Sequence, residues 1–158
     1  MSEIPQRQAY GIALADYGDL NDAVVVLDAD VSSSTLTKFF ADRHPARFFN
    51  MGVTEASMVN VGVGLALGGK IPFVNTFAAL LTLRACEQIR TCVAYAHTNV
   101  KLVGGYAGLS DYKDGPTHFA TNDIALMRAM PNMVVLAPAD NREAARMVQV
   151  IAEYPGPV

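Results

Sequence analysis

The sequence is poor in charge, cysteine and tryptophan. Charged residues make up 17% of its 158 residues, two residues are cysteine and none is tryptophan. Lys and Arg number 12 and Asp and Glu number 15, so the formal net charge is −3. Nucleic-acid binding depends on clustered Lys and Arg side chains that displace counterions from phosphates. Since no stretch is strongly basic, the composition argues against a nucleic-acid-binding protein.

Long apolar runs and a signal sequence are also missing. The longest apolar runs, residues 23–27 and 61–67, are far shorter than the roughly 20 residues that a membrane-spanning helix needs. Residues 1–5 lack the basic and apolar stretches of a secretory signal. We therefore expect a cytoplasmic protein without a membrane segment.

The two cysteines, Cys86 and Cys92, fall within one predicted helix, where they face different sides. They cannot reach disulfide geometry there, so we expect reduced thiols. Neither a C-x-x-C pair nor any other His and Cys spacing typical of zinc ligands occurs. The sequence therefore predicts no metal site in this chain.

Helical stretches alternate with short β-branched runs, which is typical of an α/β fold. The continuous apolar character of residues 23–27 suits a strand that is buried on both faces. We predict a three-layer sandwich, in which helices cover both faces of a mainly parallel sheet of five or six strands. The predicted strands are residues 23–28, 47–50, 72–75, 100–103 and 133–137, and the predicted helices are residues 6–17, 35–42, 55–67, 77–95, 122–130 and 142–153.

Ligands of such sheets bind beyond the carboxyl ends of the strands, so we expect a site in the loops after Leu27, Asn50, Asn75 and Val103. The long loop 104–119, which is rich in Gly, Asp and Pro, is the strongest functional candidate by its length. Residues 154–158 look like a linker that leads into a further strand. We expect one domain over residues 1–158 and another domain after it.

The predicted helix 55–67 is apolar on every side, which indicates burial and, in a small domain, a subunit interface. Its Gly62 and Gly64 do not belong to a dinucleotide-binding G-x-G-x-x-G motif, because Leu67 stands where the third glycine is needed. We expect these glycines to admit close backbone packing instead.

Glu55 is a lone carboxylate in the first turn of this apolar helix. One interpretation is a favourable interaction with the helix dipole, which is structural only. The other is a carboxyl group, desolvated between packed helices, that shares a proton with a heterocyclic nitrogen. Asp114 and His118 in the run D-G-P-T-H also have two interpretations: a tight turn, or a carboxylate and an imidazole that reach sugar hydroxyls or a carbonyl.

Three segments together point to a family. They are VVLDADVSSSTLT, RFFNMGVTEASMVNVGVGLALGGKIPFVNTFA and DGPTHFATNDIALMRAMPNMVVLAPAD. These segments resemble the pyrimidine-binding domain of the transketolase family, and the resemblance covers nearly the whole chain. It is strongest to the separate carboxy-terminal subunit of split transketolases.

The resemblance implies thiamine diphosphate as the cofactor, bound at a subunit interface. Its diphosphate and Mg²⁺ would be held by a partner domain with a GDG-type motif, which this sequence lacks. Glu55 matches the glutamate that hydrogen-bonds N1′ of the aminopyrimidine and favours the imino tautomer, whose 4′-nitrogen removes the C2 proton of the thiazolium. Phe77 matches an aromatic residue that stacks on the pyrimidine, and Asp30 matches an aspartate beside the cofactor.

The same resemblance implies a transferase that moves a two-carbon ketol unit between sugar phosphates. By this match Glu55 and His118 are the catalytic residues. His118 and Asp114 correspond to groups that contact the carbonyl region and the hydroxyls of the donor sugar. Arg7 and Ser34 correspond to part of the sugar-phosphate clamp. Activity would require a diphosphate-binding transketolase subunit, in a homodimer or heterotetramer. The alternatives are a deoxyxylulose-phosphate synthase-type domain and a non-catalytic interaction subunit with the same fold.

Three residues depart from the family pattern near the expected pocket. Leu80 and Leu83 stand where aromatic residues often line the pyrimidine site, so that side of the pocket is predicted to be aliphatic. Tyr106 stands where a histidine is common, eight positions before Asp114. This replacement indicates a change in the usual set of substrates.

Overall fold

Four strands form one parallel sheet in the computed structural model, which describes residues 4–158. They are β1 Val24–Asp28, β2 Phe48–Asn50, β3 Ile71–Phe77 and β4 Lys101–Gly105. Their order across the sheet is β2-β1-β3-β4, and in register Asp28 lies opposite Asn50 and Asn75. Because every pairing is parallel, the carboxyl ends of all four strands meet at one edge, where ligands of such sheets bind.

Helices connect the strands and cover the sheet. The α-helices are α1 Gln6–Leu20, α2 Ser32–Thr35, α3 Lys38–Arg43, α4 Glu55–Leu67, α5 Ala78–Arg84, α6 Cys86–Gln88, α7 Asp123–Arg128 and α8 Asn141–Glu153. A π-helix spans Ile89–Tyr95, and single 3₁₀ turns span Pro45–Arg47 and Pro116–His118. No helix within residues 4–158 is long and apolar enough to cross a membrane.

The alternation of side chains along β1 divides the core into two layers. Val24 and Val26 point to one face, where they join a buried cluster with residues of α1, α3 and α8. Val25 and Leu27 point to the other face, where they join a cluster with residues of α4, α5, the π-helix and α7. Successive residues of a strand face opposite sides of its sheet, so a fully apolar β1 needs helices on both faces. The predicted three-layer sandwich is confirmed.

The prediction of a strand over residues 133–137, and with it a sheet of five or six strands, is wrong for the described chain. This segment has no regular secondary structure, and the amide of Val134 donates to the carbonyl of Pro157, at 3.1 Å. Its side toward the sheet faces a gap, because the outer edge of β4 is paired only at Val158. A strand is defined by its ladder of hydrogen bonds, and this segment lacks a neighbour along most of its length.

The predicted helices 35–42 and 77–95 are each broken in the structure. Leu36 adopts a left-handed conformation, φ +62°, between α2 and α3. Its carbonyl oxygen would lie 2.4 Å from a Cβ on Gly11, so the close approach of α1 requires glycine there. In the second case Phe77 belongs to β3, and the helix after it is interrupted at Ala85, φ −105° and ψ 16°, before the π-helix begins.

Helix α4 is less buried than its apolar composition predicts. Met58, Val59 and Gly62 are buried, and a Cβ on Gly62 would lie 2.9 Å from a methyl group of Val74. That contact confirms close packing at Gly62. The opposite side of the helix is open, because Val61 is 41% exposed and Leu67 is 76% exposed. The structure therefore leaves part of this helix available to another surface.

Lys101, the first residue of β4, is a buried lysine that holds the chain after α8. Its Nζ donates to the carbonyl oxygens of Tyr154, at 2.6 Å, and Gly156, at 2.8 Å. Desolvation lowers the pKa of Lys101 to about 8. This group is therefore expected to make folding stability depend on pH above neutrality.

The free energy of unfolding is expected to rise between about pH 8 and pH 10. In this range the folded state has released the Lys101 proton, whereas the unfolded chain, in which the lysine pKa is about 10.4, still holds it. Below about pH 8 both states hold the proton, and this contribution to stability is constant. Lys101→Met should abolish the rise in urea titrations, whereas the exposed control Lys70→Met should keep it. An unchanged rise in Lys101→Met would show that another group causes it.

Candidate functional site

A buried carboxylate organises the loop that leaves β1. The Oδ1 of Asp28 accepts a hydrogen bond from the amide of Val31 at 2.7 Å, and its Oδ2 accepts from the hydroxyls of Thr35 at 3.0 Å and Thr37 at 2.8 Å. Burial raises the pKa of Asp28, and these hydrogen bonds oppose that rise. The carboxylate thus fixes the turn that carries Asp30 and Ser34.

Tyr106, directly after β4, lies at the centre of a cluster that we call the Tyr106 cluster: Arg7, Ser34, Phe77, Tyr106 and His118. A guanidinium N–H of Arg7 donates to the Tyr106 hydroxyl and another hydrogen bond from the same nitrogen reaches the Ser34 carbonyl at 3.2 Å. The guanidinium carbon also lies 5.6 Å from the centroid of the tyrosine ring. Tyr106 has φ +57°, an uncommon conformation for a bulky residue.

The aromatic side of the cluster joins the ends of two strands to the long loop. The ring of Phe77, at the end of β3, meets the Tyr106 ring edge-on with centroids 5.0 Å apart. The same ring lies 5.9 Å from the imidazole of His118, whose Nδ1 lies 2.9 Å from the Thr117 hydroxyl. Four residues predicted from the sequence therefore come together around a fifth residue that was noted only as a departure.

Tyr10 adds a second phenol to this edge of the sheet. Its hydroxyl donates to Oδ1 of Asn75 at 2.5 Å, and Nδ2 of Asn75 donates to the carbonyls of Leu27 and Phe73. Burial raises the pKa of Tyr10 well above its ordinary value. A cavity of about 610 Å³ is lined in part by Tyr10, Asn75, Arg7 and Tyr106, so the cluster borders an open space.

Glu55, the first residue of α4, has the burial that a proton-sharing carboxyl group needs. Its side chain is 3% exposed, and both carboxylate oxygens accept from one nitrogen of Arg84, at 3.1 and 3.2 Å. The Arg84 side chain is 51% exposed. Since a carboxylate has about four acceptor positions, a single nitrogen leaves capacity for a second partner. Glu55 therefore fits a ring nitrogen that carries or receives a proton.

Helix α5 separates this carboxyl group from the Tyr106 cluster. Phe77 immediately precedes the helix and Arg84 is its last residue. Two buried oxygen atoms have no hydrogen-bond partner within residues 4–158. They are the hydroxyl of Thr76, next to Phe77, and Oδ2 of Asp111 in the long loop. Buried polar atoms are normally paired, so these two atoms also suit an edge of the sheet that takes a polar ligand.

Asp30 and Asp114 lie apart from the Tyr106 cluster. Asp30 is exposed, has φ +65° and accepts from Nδ2 of Asn50 at 2.8 Å, which ties the loops after β1 and β2 together. Asp114 is exposed at the tip of the long loop, before Gly115 with φ +79°. Within residues 4–158 no hydrogen bond joins either carboxylate to the cluster, and no three His, Cys, Asp or Glu side chains are arranged to hold a metal ion.

Sequence reasoning missed three participants in this region: Tyr10, Arg84 and the central role of Tyr106. The sequence does set Arg84 apart, since it is the only charged residue between Phe77 and Cys86. Tyr10 lies three positions after Arg7, on the same side of a helix. Nothing local in the sequence indicates that the Tyr106 hydroxyl meets Arg7, 99 positions away.

Comparison with known proteins places this arrangement in a family. The family model described as transketolase, pyrimidine binding domain, matches residues 2–158. A protein of Methanocaldococcus jannaschii described as a transketolase C-terminal section is 47% identical over 96% of this chain and 48% of its own length. A 6-deoxy-6-sulfo-D-fructose transketolase subunit of Clostridium sp. strain MSTE9 is 38% identical over 96% of this chain and 47% of its own length.

Solved structures agree with the sequence comparisons. A split-gene transketolase, described as an inactive beta4 tetramer, has a TM-score of 0.87 and 45% identity, covering 99% of this chain and 50% of its own. Transketolase from Leishmania mexicana has a TM-score of 0.89 and 29% identity, covering 99% of this chain and 25% of its own. The chain thus spans about half the length of these two curated relatives. From residue 2 to residue 158, it belongs to the family of transketolase pyrimidine-binding domains.

Proposed function

We propose that this chain is the pyrimidine-binding part of a thiamine diphosphate-dependent transketolase, which transfers a two-carbon ketol unit between sugar phosphates. The observation that carries the proposal is Glu55, a buried carboxyl group at the start of α4 whose one partner is a half-exposed arginine. A carboxylate that serves only the helix dipole gains nothing from such burial, because desolvation penalises its charge.

Thiamine diphosphate, when bound, supplies a thiazolium carbon that adds to a ketose carbonyl. Glu55 would hold a proton at N1′ of the cofactor's pyrimidine ring, in the position that its spare acceptor capacity leaves open. Phe77 would give the pyrimidine an aromatic face, which favours offset or edge-on packing of rings. Leu80 and Leu83 would provide an aliphatic wall that keeps water from the carboxyl group.

The substrate would meet the Tyr106 cluster and the long loop. Arg7 offers the planar donor group that binds phosphate oxygens well, and it would exchange the Tyr106 hydroxyl for such an oxygen. His118 and Ser34 lie around the same ring and would contact the sugar. Asp114, exposed at the loop tip, would reach hydroxyl groups once the loop meets substrate, and Asp30 would lie beside the cofactor.

The missing half of the site would come from a partner. This chain has no GDG-type motif, so we propose that a diphosphate-binding transketolase subunit holds the diphosphate and its Mg²⁺. The working assembly would be a homodimer of such pairs, a heterotetramer, in the cytoplasm. A further domain after residue 158 would supply the remaining phosphate-binding arginine.

Reconstitution tests this proposal. Thiamine diphosphate with Mg²⁺ is titrated calorimetrically into the chain, into a diphosphate-binding subunit of the same split type, and into their mixture, and ketol transfer is measured in each. Tight binding and transfer are expected only in the mixture. Robust transfer by the 158-residue chain alone would contradict the proposal.

A non-catalytic interaction subunit is the second candidate, and the Tyr106 cluster is the observation that favours it. Arg7 is engaged with Tyr106, and leucines, Leu80 and Leu83, stand where the family often has aromatic residues. Such a subunit would pair with the partner without raising its affinity for thiamine diphosphate. Complex formation with unchanged cofactor binding in the same calorimetric series would select this candidate.

The open side of α4 predicts association through that surface. Exposed apolar patches of several hundred Å² are rare on monomers, and this side carries Val61 and Leu67. Val61→Glu should weaken association by at least about tenfold, since it places a charge in an apolar contact. The control is Val150→Glu, at an exposed valine of α8. Sedimentation equilibrium would contradict the prediction if the chain stayed monomeric at tens of micromolar.

A further inference from the structure

The Arg7 guanidinium is already hydrogen-bonded by the protein at the place where the proposed function puts a substrate phosphate. Its Nη1 donates to the Tyr106 hydroxyl and to the carbonyl oxygen of Ser34, the latter at 3.2 Å. Of the N–H groups of a guanidinium, Nη1 carries two. Both Nη1 hydrogens therefore have acceptors, and the fork formed by Nη1 and Nη2 is not free to hold two oxygens of one anion.

Tyr106 uses both hydrogen-bonding functions of its hydroxyl within the protein. The oxygen accepts from Arg7, and the O–H donates a long hydrogen bond to the Ser34 carbonyl oxygen at 3.5 Å. The three groups thus satisfy one another without a ligand. Unlike an imidazole, which can be cationic, a phenol brings no positive charge to an anion site. The cluster therefore presents phosphate with one cation, whose Nη1 is already in use.

The Tyr106 side chain is held in this position from several directions. A Cβ on Gly104 would lie 2.9 Å from Ala78, so the end of β4 packs tightly against the start of α5. Tyr106 follows with φ +57°, a conformation that a bulky residue keeps only where its surroundings enforce it. Its ring meets the Phe77 ring edge-on, with centroids 5.0 Å apart. A side chain that is already ordered loses little entropy on binding, so this hydroxyl is an effective ligand of Arg7.

We propose that Tyr106 is a specificity-determining residue that competes with the substrate's phosphate for Arg7, so that the enzyme also accepts ketoses that end in a hydroxyl group. This role rests on the proposed function, because it needs a ketose at the Tyr106 cluster. A phosphate has to displace the Tyr106 hydroxyl from Nη1, and its apparent affinity falls with the fraction of molecules in which Arg7 is released. A terminal hydroxyl is neutral and needs no bidentate partner, so it loses little when the fork is occupied.

The test compares two donors that differ only in the terminal group, xylulose 5-phosphate and xylulose, in the complex with a diphosphate-binding subunit. The measured quantity is the ratio of kcat/KM for the phosphorylated donor to kcat/KM for the unphosphorylated donor. Both values come from one preparation, so the ratio does not depend on the active fraction. Tyr106→Phe keeps the ring and removes the competing hydroxyl. Its ratio should rise by about three- to tenfold, the size of one net hydrogen bond, through a lower KM for the phosphorylated donor.

Two further variants show whether the effect depends on Arg7. In the Arg7→Met background, Tyr106→Phe should leave the ratio unchanged, because the group for which the hydroxyl competes is gone. Tyr10→Phe is the matched control, since it removes a phenol hydroxyl that donates to Asn75 instead of accepting from Arg7. This control should also leave the ratio unchanged.

The outcomes separate this role from the proposed function. If ketol transfer occurs but the ratio stays the same in Tyr106→Phe, the competition is overturned and the proposed function stands. The same holds if the ratio rises equally in the Arg7→Met background or in Tyr10→Phe, or if the wild type transfers from xylulose 5-phosphate and not measurably from xylulose. Absence of transfer from both donors would overturn the proposed function and this role together.

Discussion

Glu55→Gln is expected to slow hydrogen-deuterium exchange at C2 of bound thiamine diphosphate by about 10²- to 10⁴-fold in the reconstituted complex. Glutamine keeps the shape of the side chain but cannot share a proton with a ring nitrogen. The free energy of unfolding should change little, because the substitution also removes a buried charge-capable group. Exchange is followed by NMR after acid quenching, alongside thermal unfolding of the same samples.

The control for this prediction is Arg84→Met. That change removes the cation that both Glu55 oxygens accept from, but it leaves the carboxyl group in place. C2 exchange should therefore fall far less in Arg84→Met than in Glu55→Gln. If Glu55 only complements the helix dipole, its amide variant should lose about 0.3 to 1 kcal/mol of stability and keep its chemistry. Exchange within about threefold of the wild type would end the catalytic interpretation, since it lies below the expected range.

Asp28→Ala is expected to lower the free energy of unfolding by about 1 to 3 kcal/mol, because that is the cost of leaving a buried donor unpaired. The lost carboxylate leaves the amide of Val31 without its acceptor, whereas the hydroxyl of Thr37 can still donate to the hydroxyl of Thr35, 3.1 Å away. The hydroxyl of Thr35 retains the carbonyl of Val31 as a partner, which limits the total. Urea unfolding measured at pH 7 gives the difference directly.

Asp28→Asn is the matched control, because an amide of the same shape keeps an acceptor for this turn without a charge. It should remain within about 1 kcal/mol of the wild type at pH 7. Burial raises the pKa of Asp28, so the free energy of unfolding has a pH-dependent part that is present in acid and is lost as the pH rises through the folded value, while the hydrogen bonds to the ionised carboxylate remain. The asparagine variant should lack that loss. Equal stability of the alanine and asparagine variants would contradict the role given to these hydrogen bonds.

Much of the fold could be predicted from the sequence because its signals are local. The apolar run at β1 requires cover on both faces of the sheet, and the structure has two core clusters that alternate along it. The break in the helix at Leu36 could not be predicted from the local sequence, since it depends on how closely Gly11 of α1 approaches. The strand over residues 133–137 could not form from its own composition, because strand pairing needs a neighbour that the described chain does not provide.

The candidate site divides in the same way. The position of Glu55 at the start of an apolar helix and the absence of a GDG-type motif are properties of the sequence alone. The residues by themselves left two interpretations of Glu55 open, and the family resemblance implied the proton-sharing role and the partner. The 3% exposure of Glu55 and its pairing with Arg84, 29 positions away, were decided by tertiary packing. The Tyr106 hydroxyl likewise meets Arg7 only because the ends of parallel strands gather at one edge of the sheet. Local patterns set which groups are present, and long-range packing sets which of them meet.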